Sequence, residues 1–186
     1  MKAFLSCFLL CALQLFTNTL YAQKTAFSHH EVLSSEYLNY DDENFVPKYF
    51  FVEQSLDSLD FCVQISPGEA RRKDIVGACY WVNSSNHIDA IIQNKAVSIV
   101  YNIQGKQIPQ CIISLGWPST TKTMIRFKRI DNDIVVYNPC DTAKEVRRIS
   151  LRYLYNGEYP TDSIASIMFF AAHQQKGKPF TAEFDY

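Results

Sequence analysis

Residues 96–115 read AVSIVYNI, then QGKQ, then IPQCIISL. Val97, Ile99, Tyr101 and Ile103 fall on one face of an extended chain, the two-residue period of a half-buried strand. Two β-branched runs joined by a short polar break containing Gly105 predict a β-hairpin. Pro109 lacks an N–H to give to a neighbouring strand. It therefore places the second run at a sheet edge or makes it the start of a strand.

The flanking chain continues in the same style. Upstream, Phe61, Val63 and Ile65 alternate with Cys62 and Gln64, and Ser66-Pro67-Gly68 marks a turn. Residues 75–82 form another β-prone run, closed by Asn83-Ser84-Ser85, which is a turn and, in a eukaryotic source, a glycan acceptor. Downstream, residues 123–130 and 134–137 flank Asp131-Asn132-Asp133 and predict a second hairpin. Ile149, Leu151, Tyr153 and Tyr155 alternate with Arg148, Ser150 and Arg152, predicting a strand with a basic side. Residues 180–186 alternate to the last position and predict a closing strand.

Two segments carry helical spacing instead. Ser28-His29-His30-Glu31 has the form of a capping box, and Val32, Leu33, Glu36 and Tyr37 follow it, predicting a short helix over 29–40. Asp162 precedes Ile164, Ile167, Met168, Ala171 and Ala172 at i, i+3, i+4, i+7 and i+8, predicting a helix over 163–175 stopped by Gly177 and Pro179. The expected architecture is one mainly β domain, an antiparallel sandwich or bent sheet, with a C-terminal helix and a short N-terminal helix.

The first 22 residues pair Lys2 with an apolar run and end Leu20-Tyr21-Ala22, the pattern of a secretory signal peptide cut after Ala22. Residues 23–60 hold eight acidic and two basic side chains, against eleven and fifteen in 61–186. The expected organisation is a leader (1–22), an acidic arm (23–60) packed on basic strands, and a β domain (61–186). In an exported chain, Cys62, Cys79, Cys111 and Cys140 predict two disulfides, with the sequence-adjacent pairings Cys62–Cys79 and Cys111–Cys140 favoured. No C-x-x-C spacing supports zinc. A D-x-D hairpin tip has too few oxygen ligands for calcium, so neither metal nor cofactor is expected.

No H-E-x-x-H, G-x-S-x-G or phosphate-binding loop occurs. A formal net charge of −1 gives no pull toward nucleic acid, and the chain after the leader holds no second long apolar run to span a membrane. The reading is an exported, non-catalytic protein acting by protein–protein interaction in the periplasm or outside the cell. Its partner would be another secreted or envelope protein, and its role that of an inhibitor or immunity protein against a secreted toxin or hydrolase. Arg71, Arg72, Lys73, Trp117, Arg148 and Arg152 are the candidate contact residues. One alternative is a secreted hydrolase whose site assembles from distant residues, with His87 or His173 and carboxylates lining a pocket. The other is a small outer-membrane β-barrel, suggested by the alternation ending at Tyr186. The runs Ile91-Ile92 and Ile112-Ile113, the four cysteines and the expected helix stand against it.

Overall fold

The computed structural model describes residues 27–37, 48–70, 72–115, 122–161, 163–173 and 178–186. Strands β1 (His30–Ser34), β2 (Glu36–Tyr37), β3 (Lys48–Ser55) and β4 (Asp60–Ser66) lead into β5 (Ile75–Asn83), β6 (Asn86–Gln93), β7 (Ala96–Ile103) and β8 (Lys106–Ser114). Then follow β9 (Thr123–Ile130), β10 (Asp133–Asn138), β11 (Asp141–Ser150), a one-turn helix α1 (Leu151–Leu154), β12 (Ile164–His173) and β13 (Thr181–Asp185). Six strands form one sheet in the order β1-β13-β4-β9-β10-β11. Seven form the other, ordered β2-β12-β5-β6-β7-β8, with β3 also paired to β12. All pairings are antiparallel except the two-residue β2–β12 contact. The result is a jelly-roll-like arrangement of two open sheets rather than one closed barrel.

The core lies between the sheets. Phe61, Val63, Ile65, Ile125 and Phe127 face it from the six-stranded sheet, and Tyr80, Ile88, Ile99, Ile167 and Phe169 from the other. Phe169 sits at the centre, with ring centroids 4.8 Å from Phe50, 4.9 Å from Phe184 and 5.3 Å from Tyr186. A hydrophobic sheet face must be covered, and here each sheet covers the other.

The 96–115 hairpin forms as β7–β8, in register from Ala96↔Ser114 to Ile103↔Lys106. Gln104 and Gly105 both have positive φ (52° and 74°), matching the type I′ turn whose twist suits a two-residue hairpin. β8 is an edge strand, and Pro109 sits beside an irregularity between Ile99 and Val100 where the ladder shifts register. The second hairpin, β9–β10, and the closing strand β13 also form as the alternation predicts.

Both predicted helices are strands, a correction with a clear cause. Residues 164–173 form β12, paired to β3 on one side and β5 on the other. Ala165, Ile167, Phe169 and Ala171 face the core, while Met168 and Phe170 face a cleft on the opposite side. With both faces apolar, the two-residue period disappears and a chance i, i+3, i+4 pattern remains. Residues 30–34 form β1, whose His30 pairs with Asp185 across the β1–β13 ladder, so the apparent capping box caps nothing. The alternating strand expected through Tyr155 stops at Ser150. Leu151 and Leu154, both 0% exposed, turn as α1 to plug the end of the core.

The cysteines are another correction. All four are free thiols. Cys62 alternates with buried Phe61 and Val63, and Cys79 alternates with buried Ala78 and Tyr80. Each therefore points away from the core, on opposite sheets, and no bond joins them. Cys140 lies in the β10–β11 turn with its Sγ 3.9 Å from the Ser114 carbonyl.

Candidate functional site

The face of the seven-stranded sheet turned away from the core is mostly apolar. Strand alternation sends Tyr49 and Phe51 outward from β3, Met168 and Phe170 from β12, Trp81 from β5, and His87, Asp89 and Ile91 from β6. These side chains line a cleft of about 550 Å³, within the size range of small-ligand sites. Tyr49 is 44% and Phe51 43% exposed, large aromatics left open to solvent together. Tyr49 packs edge-on against Phe51 (5.4 Å), Phe51 against Trp81 (5.9 Å), and Trp81 stacks on His87 (5.0 Å, 28° between planes). Gly77 makes room for this floor, since a Cβ there would come within 2.7 Å of the Phe170 ring and closer still to the Ala90 carbonyl.

Asp89 is the carboxyl of the cleft. It shares a rung with Cys79, Met168 and Phe51. Its Oδ2 accepts a hydrogen bond from Asn102 Nδ2 (2.7 Å) and lies 3.5 Å from His87 Nε2. Burial pushes its pKa above the ordinary carboxylate value, opposed by His87, by the Cys79 thiol and by Asn102. Burial and the Asp89 charge together push the Cys79 thiol well up, so this sulfur is a hydrogen-bond donor rather than a nucleophile. His87 Nδ1 faces the Asn83 carbonyl at 3.1 Å. A carbonyl can only accept, so Nδ1 carries a hydrogen and Nε2 is the nitrogen that meets Asp89.

A second compartment of about 470 Å³ meets the first at Trp81. Glu53 and Ser166 reach it from β3 and β12, and Tyr155, Glu158 and Tyr159 from the segment after α1. That segment is built by its own backbone. Gly157 N–H donates to the Arg152 carbonyl (2.7 Å), Arg152 Nε donates back to the Gly157 carbonyl (2.8 Å), and Asn86 Nδ2 donates to Asn156 Oδ1 (3.2 Å). Asn156 and Gly157 have φ of 58° and 98°, a turn that suits the small residue at Gly157.

Among the described residues, none of the predicted contact residues lines this site. Arg72 and Lys73 are exposed in the β4–β5 connection. Arg148 is tied to Glu145 (2.7 Å) and Asp133 (3.4 Å) on the other sheet, and Arg152 holds the turn just described. Arg71 and Trp117 lie outside the described residues. Asp57 lies on Arg129, and Asp60 on Arg126 and Lys128. Of the two histidines named for the hydrolase alternative, His87 lines the cleft beside a carboxyl, while His173 is 4% exposed and bonded to Ser35 Oγ (3.0 Å). Asp89 itself was missed. Its signal lies in residues 86–93, where His87 and Asp89 are the titratable residues of a strand whose alternate positions are all buried. Among the described residues no cluster of three or more metal-ligating side chains occurs, and no helix is long and apolar enough to cross a membrane.

No family model matches the chain, and no curated protein does. Solved structures do. The chain is similar to the Bacillus licheniformis β-glucanase at 12% identity and a TM-score of 0.56, covering 87% of this chain and 80% of that one. It is similar to the Bacteroides ovatus xyloglucan PUL GH43B protein at 13% identity and a TM-score of 0.61. That match covers 83% of this chain but spans only about a third (32%) of the other. A functionally unknown protein from Saccharomyces cerevisiae shares 14% identity and a TM-score of 0.58 over 87% and 89% of the two chains. At these identities the likeness is one of fold. The expectation of a non-catalytic inhibitor or immunity protein is corrected here, because the solved structures that share this fold include glycoside hydrolases. The secreted-hydrolase alternative fits these neighbours better.

Proposed function

We propose that the chain is a carbohydrate-active protein that holds a glycan in the Tyr49–Phe51–Trp81 cleft and acts on it through Asp89. The observation that carries this reading is the pairing of half-exposed aromatics with one largely buried carboxyl, on the sheet face turned away from the core. Sugar rings present apolar C–H faces that pack on aromatic rings, and their hydroxyls need a few placed polar groups. A carboxyl whose pKa is raised by burial stays protonated into the range where it can give its proton to a glycosidic oxygen. In that step the C–O bond breaks, a water oxygen bonds the anomeric carbon, and the water's proton leaves to the Asp89 carboxylate or to solvent.

The carboxylate arithmetic limits the mechanism. Glu53 shares a rung with Ser166, Trp81 and His87, so it stands three strand spacings and one rung from Asp89. That is roughly 14 Å or more, given about 4.8 Å between strands. Paired-carboxylate glycosidases keep their groups about 5 to 9.5 Å apart. Asp89 and Glu53 therefore do not act as such a pair, and Asp89 is assigned the acid role alone. The signal-like leader (1–22) supports a periplasmic or extracellular setting, where polymeric glycans are met.

The test is calorimetry followed by a reducing-end assay, using mixed-linkage β-glucan and xyloglucan oligosaccharides as first probes. Binding that Trp81→Ala weakens about thirtyfold, with release of reducing ends that Asp89→Asn abolishes, is the expected result. Binding without release would remove Asp89 from the chemistry. No binding to any glycan would overturn the reading.

A further inference from the structure

We infer that the ligand is a neutral, linear oligosaccharide lying across both compartments, with anionic glycans excluded by charge. This rests on the carbohydrate reading above and specifies its substrate. The two compartments are of similar size, about 550 and 470 Å³, and they meet at one side chain, Trp81. They differ in character. The first offers aromatic and aliphatic surface around Asp89. The second offers the exposed carboxylates of Glu53 and Glu158, the hydroxyl of Ser166 and the half-exposed ring of Tyr159. One sugar ring stacked in the first compartment leaves the second unfilled. A chain running past Trp81 fills both, placing hydroxyls beside Glu53 and Glu158, which accept hydrogen bonds from them.

The charge argument follows from the same lining. Three carboxyl groups border the groove, and among the described residues His87 is its one basic side chain and no Lys or Arg lines either compartment. His87 is already engaged with Asp89. A uronic-acid or sulfated sugar would bring its negative charge toward Glu53 and Glu158 with no cation to meet it, and like-charge juxtaposition suppresses wrong partners. A neutral glycan meets no such penalty.

The experiment measures affinity by calorimetry for neutral gluco-oligosaccharides of increasing length and for the corresponding oligoglucuronates. It uses the full chain and the variants Tyr159→Ala and Glu53→Gln/Glu158→Gln. Glu53, Glu158 and Tyr159 are exposed, so these variants keep the fold. The expected result is affinity that climbs once the oligomer is long enough to pass Trp81, a climb that Tyr159→Ala removes. Oligoglucuronates should bind at least about tenfold more weakly at low salt. That gap should narrow in the double Gln variant and in high salt. Equal affinity for the charged and neutral series, or affinity independent of length, would overturn this inference while leaving the first compartment's role intact. Absence of binding by every neutral oligomer would instead overturn the carbohydrate reading itself.

Discussion

On the outer face of the six-stranded sheet, Asp60 accepts two hydrogen bonds from Arg126 (2.6 and 2.8 Å) and lies 3.0 Å from Lys128. On the outer face of the seven-stranded sheet, Asp89 meets Asn102, a thiol and an imidazole, surrounded by aromatic rings. The arginine holds the Asp60 carboxyl below the ordinary range, while burial pushes Asp89 above it. The first face follows the usual rule for a solvated antiparallel sheet, with charges outward and in pairs. The second breaks that rule, leaving Tyr49 and Phe51 open to water and a carboxyl without an arginine or lysine. A face that departs from local consistency is where function is expected.

The sharpest way to break this contrast is to remove one ring from each side of the seven-stranded sheet. Phe169 points into the core at 0% exposure, and Phe51 points out at 43%. Phe169→Ala should cost about 3–5 kcal/mol in denaturant unfolding, the range for a large buried aromatic. Phe51→Ala should change stability by less than about 1 kcal/mol and still weaken glycan binding about tenfold. If Phe51→Ala destabilises as much as Phe169→Ala, the cleft is part of the core and not a site. Next in size is Trp81→Ala, where both compartments meet. Loss of a central aromatic anchor should cost about 2 kcal/mol of binding, some thirtyfold in affinity, measured by calorimetry.

The same contrast explains what could be read in advance. Strands with one wet face were legible: Phe61, Val63 and Ile65 are buried while Cys62 and Gln64 are not, and the alternation was plain. The 96–103 run was equally clear, because Val97, Ile99, Tyr101 and Ile103 all face the core. β12 was not, because Met168 and Phe170 on its cleft side are as apolar as Ile167 and Phe169 on its core side. Lining a binding face with hydrophobic groups erased the two-residue period, and the spacing then imitated a helix. The site was illegible for a related reason. It draws on β3, β12, β5 and β6, far apart in the chain, and only the sheet register sets Phe51, Met168, Cys79 and Asp89 side by side. The basic residues singled out instead were conspicuous because they are charged, and four of the five lie exposed away from the cleft.

A pH titration of stability sharpens the comparison at Asp89. Its folded-state pKa is raised by burial, so the folded protein binds this proton more tightly than the unfolded chain. Stability should then fall as pH rises from the ordinary carboxylate value, about 4, through the raised value, and level off above it. Asp89→Asn removes that decline and should unfold at a higher temperature than the wild type at neutral pH, while losing any glycan cleavage. A wild-type and variant pair with parallel stability–pH curves would show that Asp89 is no more buried in solution than an ordinary surface carboxylate.

The smallest expected effect is the mirror image, at Asp60. Its pKa is lowered, chiefly by the Arg126 hydrogen bonds, so the unfolded chain holds this proton more tightly than the folded one. The stabilisation is fully present above the unfolded value and disappears as pH falls through the lowered folded value. Asp60 is 38% exposed, so solvent screens the pair, and Asp60→Asn should cost at most about 1 kcal/mol at neutral pH. The cost should shrink as acid protonates the wild-type carboxyl, and it should shrink again in high salt. Asp89→Asn should be insensitive to salt, since no permanent cation faces Asp89 across the cleft. Opposite signs along the acid limb, with salt acting on one variant only, would establish that the two outer faces present different solvents to their carboxyls.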